Sequence, residues 1–178
     1  MNTKTTQRLK KLNASLDSLF QDLSGYTNEQ LNTQPEPGKW SALQVMHHLL
    51  IAEGYAQGYV RKKLSFNPKL KNAGLGDKWR LFLLWLYLSA PFKFKAPPAV
   101  AEENLPSNSS LATTKAQWQK QRLELAAQLE SYSPEIFNKS LYKHPFSGRM
   151  TLDGMLIFYQ THFDRHRKQI ERTLKAVT

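Results

Sequence analysis

Apolar residues recur at helical spacing in four stretches of the chain. The first stretch alternates steps of three and four residues and ends before Ser24-Gly25; its members are Leu9, Leu12, Leu16, Leu19 and Leu23. The second begins at Ser41, where Gln44 completes a capping box, and fades near Ser65. Its inner face is predicted to carry Val45, His48, Ala52, Tyr55 and Tyr59.

Two further helices follow in the second half of the chain. One is predicted from about Ser109 to Ser131, and the other begins after Thr151, which is a suitable N-cap residue. The last helix places one stripe toward the core: Leu152, Met155, Tyr159, His162, His166 and Thr173. Thr27 with Gln30 predicts an additional short helical turn.

These patterns predict an all-α fold. No strand-like alternation persists, and long helices with one apolar face each bury that face by packing around a shared core. We therefore expect a four-helix bundle, with a long crossover connection between the second and third helices.

That connection, at about 65–107, is the least regular part of the sequence. It contains scattered prolines and glycines around an apolar stretch from Trp79 to Phe92, and Asp77 is a candidate start for a helix there. The apolar side of such a helix is too wide for an ordinary amphipathic stripe. We expect the bundle itself to cover it, with a second subunit or a membrane surface as the alternatives.

Length and composition fit one folded domain at 1–178. The chain has 178 residues, of which 40% are hydrophobic and 22% charged, close to the globular average. It has no cysteine, so a transition-metal site would have to use imidazole and carboxylate ligands. The polar N-terminus favours a cytoplasmic protein, and the run Leu81 to Ala90 is about half the roughly 20 residues of a transmembrane helix.

The net charge of +11 permits attraction to nucleic acid or to anionic membranes. Basic positions look scattered along the sequence, and charge alone supports only non-specific attraction. A solvated basic surface is therefore the favoured interpretation, and no specific nucleic-acid partner is predicted.

Three histidines fall on inner helix faces. His162 and His166 lie one turn apart on the last helix, so both rings can reach one point, and His48 lies on the inner face of the second helix. Buried imidazoles need partners. The rings are either hydrogen-bonded core residues or, if they converge, ligands of a divalent ion.

Neighbouring polar residues are assigned less demanding roles. His47 is rotated about 100° from His48 and should face elsewhere. His144 lies in the turn before the last helix, where it is expected to cap or hydrogen-bond. Glu53 is about 140° from His48 and is expected at the surface or in a pair, not as a general base. Gln169 and Asp164 are either solvated or orient the ligand rings by hydrogen bonding to the ring nitrogens that do not bind the metal.

Two segments carry a family resemblance. Residues 38–49 (GKWSALQVMHHL) resemble the helix-2 signature of the DinB-like superfamily, and residues 162–170 (HFDRHRKQI) resemble its helix-4 signature. Between them, His144-Pro145 with Gly148 and Arg149 is similar to the turn that precedes the family's last helix. The insertion at 65–107 departs from the compact members of the superfamily.

The resemblance implies a four-helix bundle with a crossover connection, frequent homodimers, and a metal held by His48, His162 and His166. Zinc, nickel or iron would be the ion. Characterised members of the superfamily include thiol S-transferases and isomerases of thiol adducts, and metal-assisted hydrolysis is the other activity that the resemblance suggests.

Three functional hypotheses follow. Three histidines leave one open coordination position, which favours a metal-dependent enzyme, a thiol S-transferase or a hydrolase, acting on a small molecule. The residues between His162 and His166 do not match the H-E-x-x-H motif, and the catalytic residues stay unassigned. The alternative is a non-catalytic metal or small-ligand binding module, for which a stress-related role is one option. The third hypothesis, a polyanion or membrane binder, rests on the charge and on the basic flanks of the apolar stretch, Lys78, Arg80, Lys93 and Lys95.

Overall fold

The chain folds into helices joined by one small hairpin. The computed structural model describes residues 1–90 and 102–178. Within these residues the elements are α1 (Thr3–Leu23), α2 (Asn28–Asn32), α3 (Ala42–Ser65), α4 (Leu75–Ser89), α5 (Leu111–Glu130), β1 (Tyr142–His144), β2 (Gly148–Met150) and α6 (Leu152–Val177). Short 3₁₀ turns occur at Glu102–Asn104 and Pro134–Asn138.

Side-chain caps fix the starts of the helices. Ser41 accepts a hydrogen bond from the Gln44 amide at 3.2 Å, and Gln44 Oε1 accepts from the Ser41 amide at 2.9 Å. The Thr27 and Gln30 pair forms the same reciprocal arrangement at α2, and Thr151 caps α6. These bonds satisfy backbone donors that a helix start leaves without partners. The capping boxes predicted from the sequence are therefore confirmed.

Four long helices, α1, α3, α5 and α6, form the bundle. α3 packs against α6 and α5, and α1 packs against α6 and α5. The bulkiest fully buried side chains are Trp118 of α5 and Tyr159 and Phe163 of α6. The all-α class and the four-helix bundle expected from the sequence are confirmed. Among the residues that the structure describes, no helix has the length and apolar character that a bilayer crossing demands.

The crossover connection contains α4, which lies against α6 and the hairpin. The Arg165 guanidinium of α6 donates to the carbonyls of Leu88 and Ala90, at 2.9 and 2.7 Å, and so fastens the C-terminal end of α4 to α6. Asp77 lies in the first turn of α4 and accepts from the Gly74 amide at 2.9 Å. The helix expected near Asp77 is present, and it begins two residues earlier, at Leu75.

A β-hairpin precedes α6, where the sequence predicted only a turn. Tyr142 pairs with Met150 and His144 with Gly148, whose φ of +82° is accessible to glycine. Strands of three residues are too short to show alternation. His144 Nδ1 accepts from the amides of residues 146 and 147, both at 3.3 Å, which confirms its expected role in the turn. Burial lowers the pKa of His144 to about 4, so the ring keeps this accepting lone pair at neutral pH.

The prediction that the bundle covers the apolar stretch is wrong for most of α4. Leu84 and Leu88 are buried, whereas Trp79 and Trp85 are 61% and 46% exposed. The apolar side chains of α4 point to more than one side of the helix, and only one side can face α6 and the hairpin. Residues 91–92 of the predicted stretch lie outside the described part of the chain. Tyr55, expected on the inner face of α3, is also exposed, at 58%.

A buried ion pair joins α3 to α5. Arg122 Nη2 lies 2.8 Å from Glu53 Oε1, and the Trp118 indole donates to the other carboxylate oxygen at 3.2 Å. The Tyr159 hydroxyl donates to the Glu53 carbonyl at 3.0 Å. Burial raises the pKa of Glu53, opposed by the Arg122 charge. Of the two roles expected for Glu53, the pair is confirmed and the surface position is wrong.

Removal of the Glu53 carboxylate should destabilise the fold strongly. Glu53→Ala leaves the Arg122 guanidinium buried without its partner, and we expect the free energy of unfolding to fall by about 3–5 kcal/mol. Denaturant unfolding measures this change. Glu124→Ala, which removes an exposed carboxylate from α5, is the matched control and should shift the value by less than about 0.5 kcal/mol. Equal effects of the two variants would contradict the prediction.

Candidate metal centre

Three histidine rings from two helices meet inside the bundle. His48 comes from the first half of α3, and His162 and His166 come from consecutive turns of α6. His162 Nε2 lies 3.4 Å from His48 Nε2 and 3.1 Å from His166 Nε2. One nitrogen of each ring falls within 4.8 Å of the others. The structure thus brings together all three residues that the sequence singled out.

The spacing of the nitrogens suits one tetrahedral ion. Two imidazole nitrogens bound to the same zinc at about 2.0–2.1 Å would lie roughly 3.3 Å apart, because the tetrahedral angle fixes their separation. Two of the three separations, 3.4 and 3.1 Å, flank that value, and all three nitrogens lie within 4.8 Å of one another. Three neutral imidazoles also form a donor set that divalent transition metals prefer. The residues present therefore fit a divalent ion.

The surroundings keep the two rings of α6, His162 and His166, uncharged. Burial is the largest cause that lowers the pKa of His166 to about 3, and the nearby His48 ring is the next. Burial likewise lowers the pKa of His162 well below its ordinary value, with His166 as the next cause. Only a neutral imidazole offers a lone pair to a metal. His162 and His166 therefore have the form that binds metal at neutral pH.

Gln169 lies behind one of the rings. Its Oε1 is 2.8 Å from His166 Nδ1, so this nitrogen carries the hydrogen and Nε2 presents its lone pair to the cluster. Asp164, the other residue considered for this position, instead accepts from the Gln160 side chain at 2.8 Å and is exposed. Of the two candidates, only Gln169 is placed against a ring of the cluster.

Two aromatic side chains flank the cluster and were not assigned a role from the sequence. The Trp40 ring lies 5.1 Å from the His48 ring, and Phe158 stacks on His162 at 5.2 Å between centroids. Phe158 precedes His162 by four residues, a spacing that places both on one helix face and could have identified it. His48 is buried, while His162 keeps part of its surface exposed.

The remaining histidines lie outside the cluster. His47 Nε2 is 2.9 Å from Ser109 Oγ and 3.2 Å from Thr114 Oγ1, so its ring faces α5 as its rotation from His48 predicted. His144 bonds within the hairpin. In the part of the chain that is described, the group of potential metal ligands consists of His48, His162 and His166 and holds no carboxylate.

Comparisons with known proteins agree with this architecture. A protein of Oceanobacillus iheyensis, provisionally named a metal-dependent hydrolase, is 27% identical over 154 residues, which cover 83% of this chain and 73% of that protein. YfiT from Bacillus subtilis is described as "a probable metal-dependent hydrolase with an unusual four-helix bundle topology". Its structure superposes with a TM-score of 0.60 at 22% identity, covering 98% of this chain and 89% of YfiT. This likeness shows the four-helix fold.

A sequence model of the DinB superfamily matches residues 8–170, from the first turns of α1 to the last turns of α6. The match includes all three clustered histidines together with Gln169. On this match, which extends over most of its length, the chain belongs to the DinB superfamily.

Proposed function

We propose that His48, His162 and His166 hold one divalent metal ion, zinc, nickel or iron, and that the protein is a metal-dependent hydrolase of a small molecule. The observation that carries this proposal is the convergence of three imidazoles, with Nε2 separations of 3.1 and 3.4 Å for two of the three pairs. Hydrogen-bonded core histidines do not need this arrangement, because each ring would be better served by a separate polar partner.

The protein's own residues prepare such a site. Gln169 fixes the tautomer of His166, while Trp40 and Phe158 restrict the rotation of His48 and His162. A divalent ion bound by three imidazoles keeps an open coordination position, where it can polarise a carbonyl group and make water a stronger nucleophile. His162 and His166 are both half-buried, so the cluster is not fully enclosed by the protein.

The names of the relatives support hydrolysis over the other hypotheses. Both the Oceanobacillus protein and YfiT are described as metal-dependent hydrolases. A thiol S-transferase would use the same open position, and it is the second reaction class to test. A non-catalytic binding module would use the same ligands without turnover. The homodimer and the cytoplasmic location remain expectations.

Metal content should depend on the clustered histidines. Protein purified without an affinity tag should carry close to one divalent ion per chain, and His162→Ala should lose it, because two imidazoles bind a divalent ion much more weakly than three. Elemental analysis measures the content. At a free metal concentration a hundred times the Kd, the ion should raise the free energy of unfolding by about 2.7 kcal/mol.

His47→Asn is the matched control for this experiment. It removes a histidine next to the cluster whose ring bonds to Ser109 and Thr114 instead. The variant should retain the wild-type metal content. Loss of metal from both variants, or from neither, would contradict the assignment of the three ligands.

Gln169 should contribute to affinity without being a ligand. Gln169→Leu removes the acceptor of the His166 Nδ1 hydrogen and should weaken metal binding by about 10- to 100-fold. Gln169→Glu keeps an acceptor at this position and should restore most of the affinity. Competition with a chelator of known affinity measures both. An affinity unchanged in the leucine variant would refute this role.

Activity should follow the metal. The metal-loaded protein should hydrolyse at least one member of a panel of amides and esters, and His166→Ala should abolish turnover along with metal content, because the reaction requires the bound ion. A parallel panel that pairs low-molecular-weight thiols with electrophiles tests the S-transferase. Turnover only in the thiol panel would overturn the hydrolase proposal and leave the metal site intact.

A further inference from the structure

One side of α4 is an apolar strip that the bundle leaves exposed. Leu84 and Leu88 face the protein, and the opposite side of the helix carries large side chains that are 44–82% exposed: Leu75, Trp79, Phe82, Leu83, Trp85 and Leu86. Exposed apolar residues are ordinary when they occur singly, but a contiguous strip marks an interaction surface. We call these six residues the α4 strip.

Three of the six strip residues are aromatic. The Trp79 and Phe82 rings lie 5.6 Å apart, and Phe82 stacks on Trp85 at 6.0 Å, so three rings form a ladder along the outside of the helix. Tryptophan and phenylalanine on one face of a helix are typical of segments that lie in the boundary between lipid head groups and acyl chains. The length of α4 allows it to lie on a bilayer surface, not to cross one.

Positive charge is concentrated at the end of the molecule where α4 begins. Residues 61–80 and 134–149 together contain ten lysines and arginines against two acidic residues, a net charge of +8 out of +11 for the whole chain. Eight of these basic side chains are exposed: Arg61, Lys62, Lys69, Lys71, Lys78, Arg80, Lys143 and Arg149. The net positive charge is therefore concentrated in these two segments, while the other fifteen lysines and arginines are spread over the rest of the chain.

The two basic segments are joined into one surface. The Ser140 amide donates to the Lys71 carbonyl at 3.0 Å, and the Ala73 amide donates to the Asn138 carbonyl at 2.8 Å. The side chain of Arg80 lies against Gly148 of the hairpin. Lys78 and Arg80 belong to α4 itself, so positive charge borders the strip directly.

We propose that the α4 strip docks on an anionic lipid membrane, with the surrounding basic residues held near the lipid head groups. The apolar strip supplies hydrocarbon contact, and the field of the basic end supplies attraction to negative lipid. This surface is separate from the metal centre, and the proposal does not depend on the proposed hydrolase activity.

Two other occupants fit the surface less well. A symmetric dimer through the strip would bring two ends of net charge +8 together, and like charges oppose such association. Nucleic acid would satisfy the charge, but half of the strip, Leu75, Leu83 and Leu86, is aliphatic and offers bases no ring to stack on. A bilayer satisfies both the charge and the apolar surface.

Vesicle co-sedimentation of the full-length protein tests the proposal. The protein should bind vesicles of equal parts phosphatidylcholine and phosphatidylglycerol, and should bind pure phosphatidylcholine at least about tenfold more weakly, because anionic lipid supplies the electrostatic term. The double variant Phe82→Ser with Trp85→Ser should lose at least about tenfold in partition coefficient, since its apolar contact is reduced. Leu123→Ala, at an exposed position on α5, should bind as the wild type does.

Matched charge reversals distinguish the contribution of the basic end to vesicle binding from that of the total charge. Lys71→Glu with Lys78→Glu should weaken binding by at least about tenfold, whereas Lys10→Glu with Lys11→Glu, the same change on exposed residues of α1, should have little effect. Circular dichroism checks that each variant is folded. Equal loss in the two charge variants, or unchanged binding by the strip variant, overturns the proposal.

The competing occupants give distinct results. Absence of vesicle binding, together with a wild-type dimer in sedimentation velocity that Phe82→Ser with Trp85→Ser converts to monomer, would assign the strip to self-association instead. Binding to a short oligonucleotide that this same variant weakens, without vesicle binding, would assign it to nucleic acid. Either outcome overturns the membrane proposal, and neither bears on the metal site.

Discussion

The packing of α3 against α6 is the constraint on which the rest of the structure depends. It brings His48 to within hydrogen-bonding distance of His162, across 114 positions of sequence. The interface is held elsewhere by apolar burial and by the bond from the Tyr159 hydroxyl to the Glu53 carbonyl, which ties the same two helices together one to two turns from the cluster. Because protein interiors are close-packed, a small shift between these helices would separate the rings.

Much of this arrangement could be predicted from the sequence. The leucine series of α1 and the capping boxes at Thr27 and Ser41 gave the helices and their starts, because spacing and capping are local properties. The inward position of the three histidines also followed from helical periodicity. Periodicity did not show that they meet at one point, since it states which face a residue occupies and not which helix lies opposite. That expectation came from the resemblance to the DinB-like superfamily. The hairpin and the Glu53 to Arg122 pair depend on tertiary contacts and were likewise beyond local reasoning.

For α4, by contrast, the sequence led to a wrong prediction. Apolar content alone predicted that this helix would be covered, because burial of apolar surface is the main favourable term in folding. A helix that is apolar all round has more such surface than a single neighbour can cover, and here α6 and the hairpin take only one side. The concentration of net charge at one end was missed for a related reason. Lys71 and Arg149 are 78 positions apart in the sequence, and their segments meet at one end only through tertiary contacts, the backbone bonds between residues 71–73 and 138–140 and the packing of α4 on the hairpin.

Arg165 connects the insertion to the metal centre. Its guanidinium donates to carbonyls at the C-terminal end of α4, where the helix dipole favours a cation. The same charge lies on α6 beside His166, and it lowers the pKa of both His162 and His166. A fixed cation there disfavours protonated rings and so favours the form that binds metal, although it also repels the ion that binds. Carbonyl oxygens around the guanidinium offset that repulsion, so the end of α4 is part of the electrostatic environment in which the three imidazoles act.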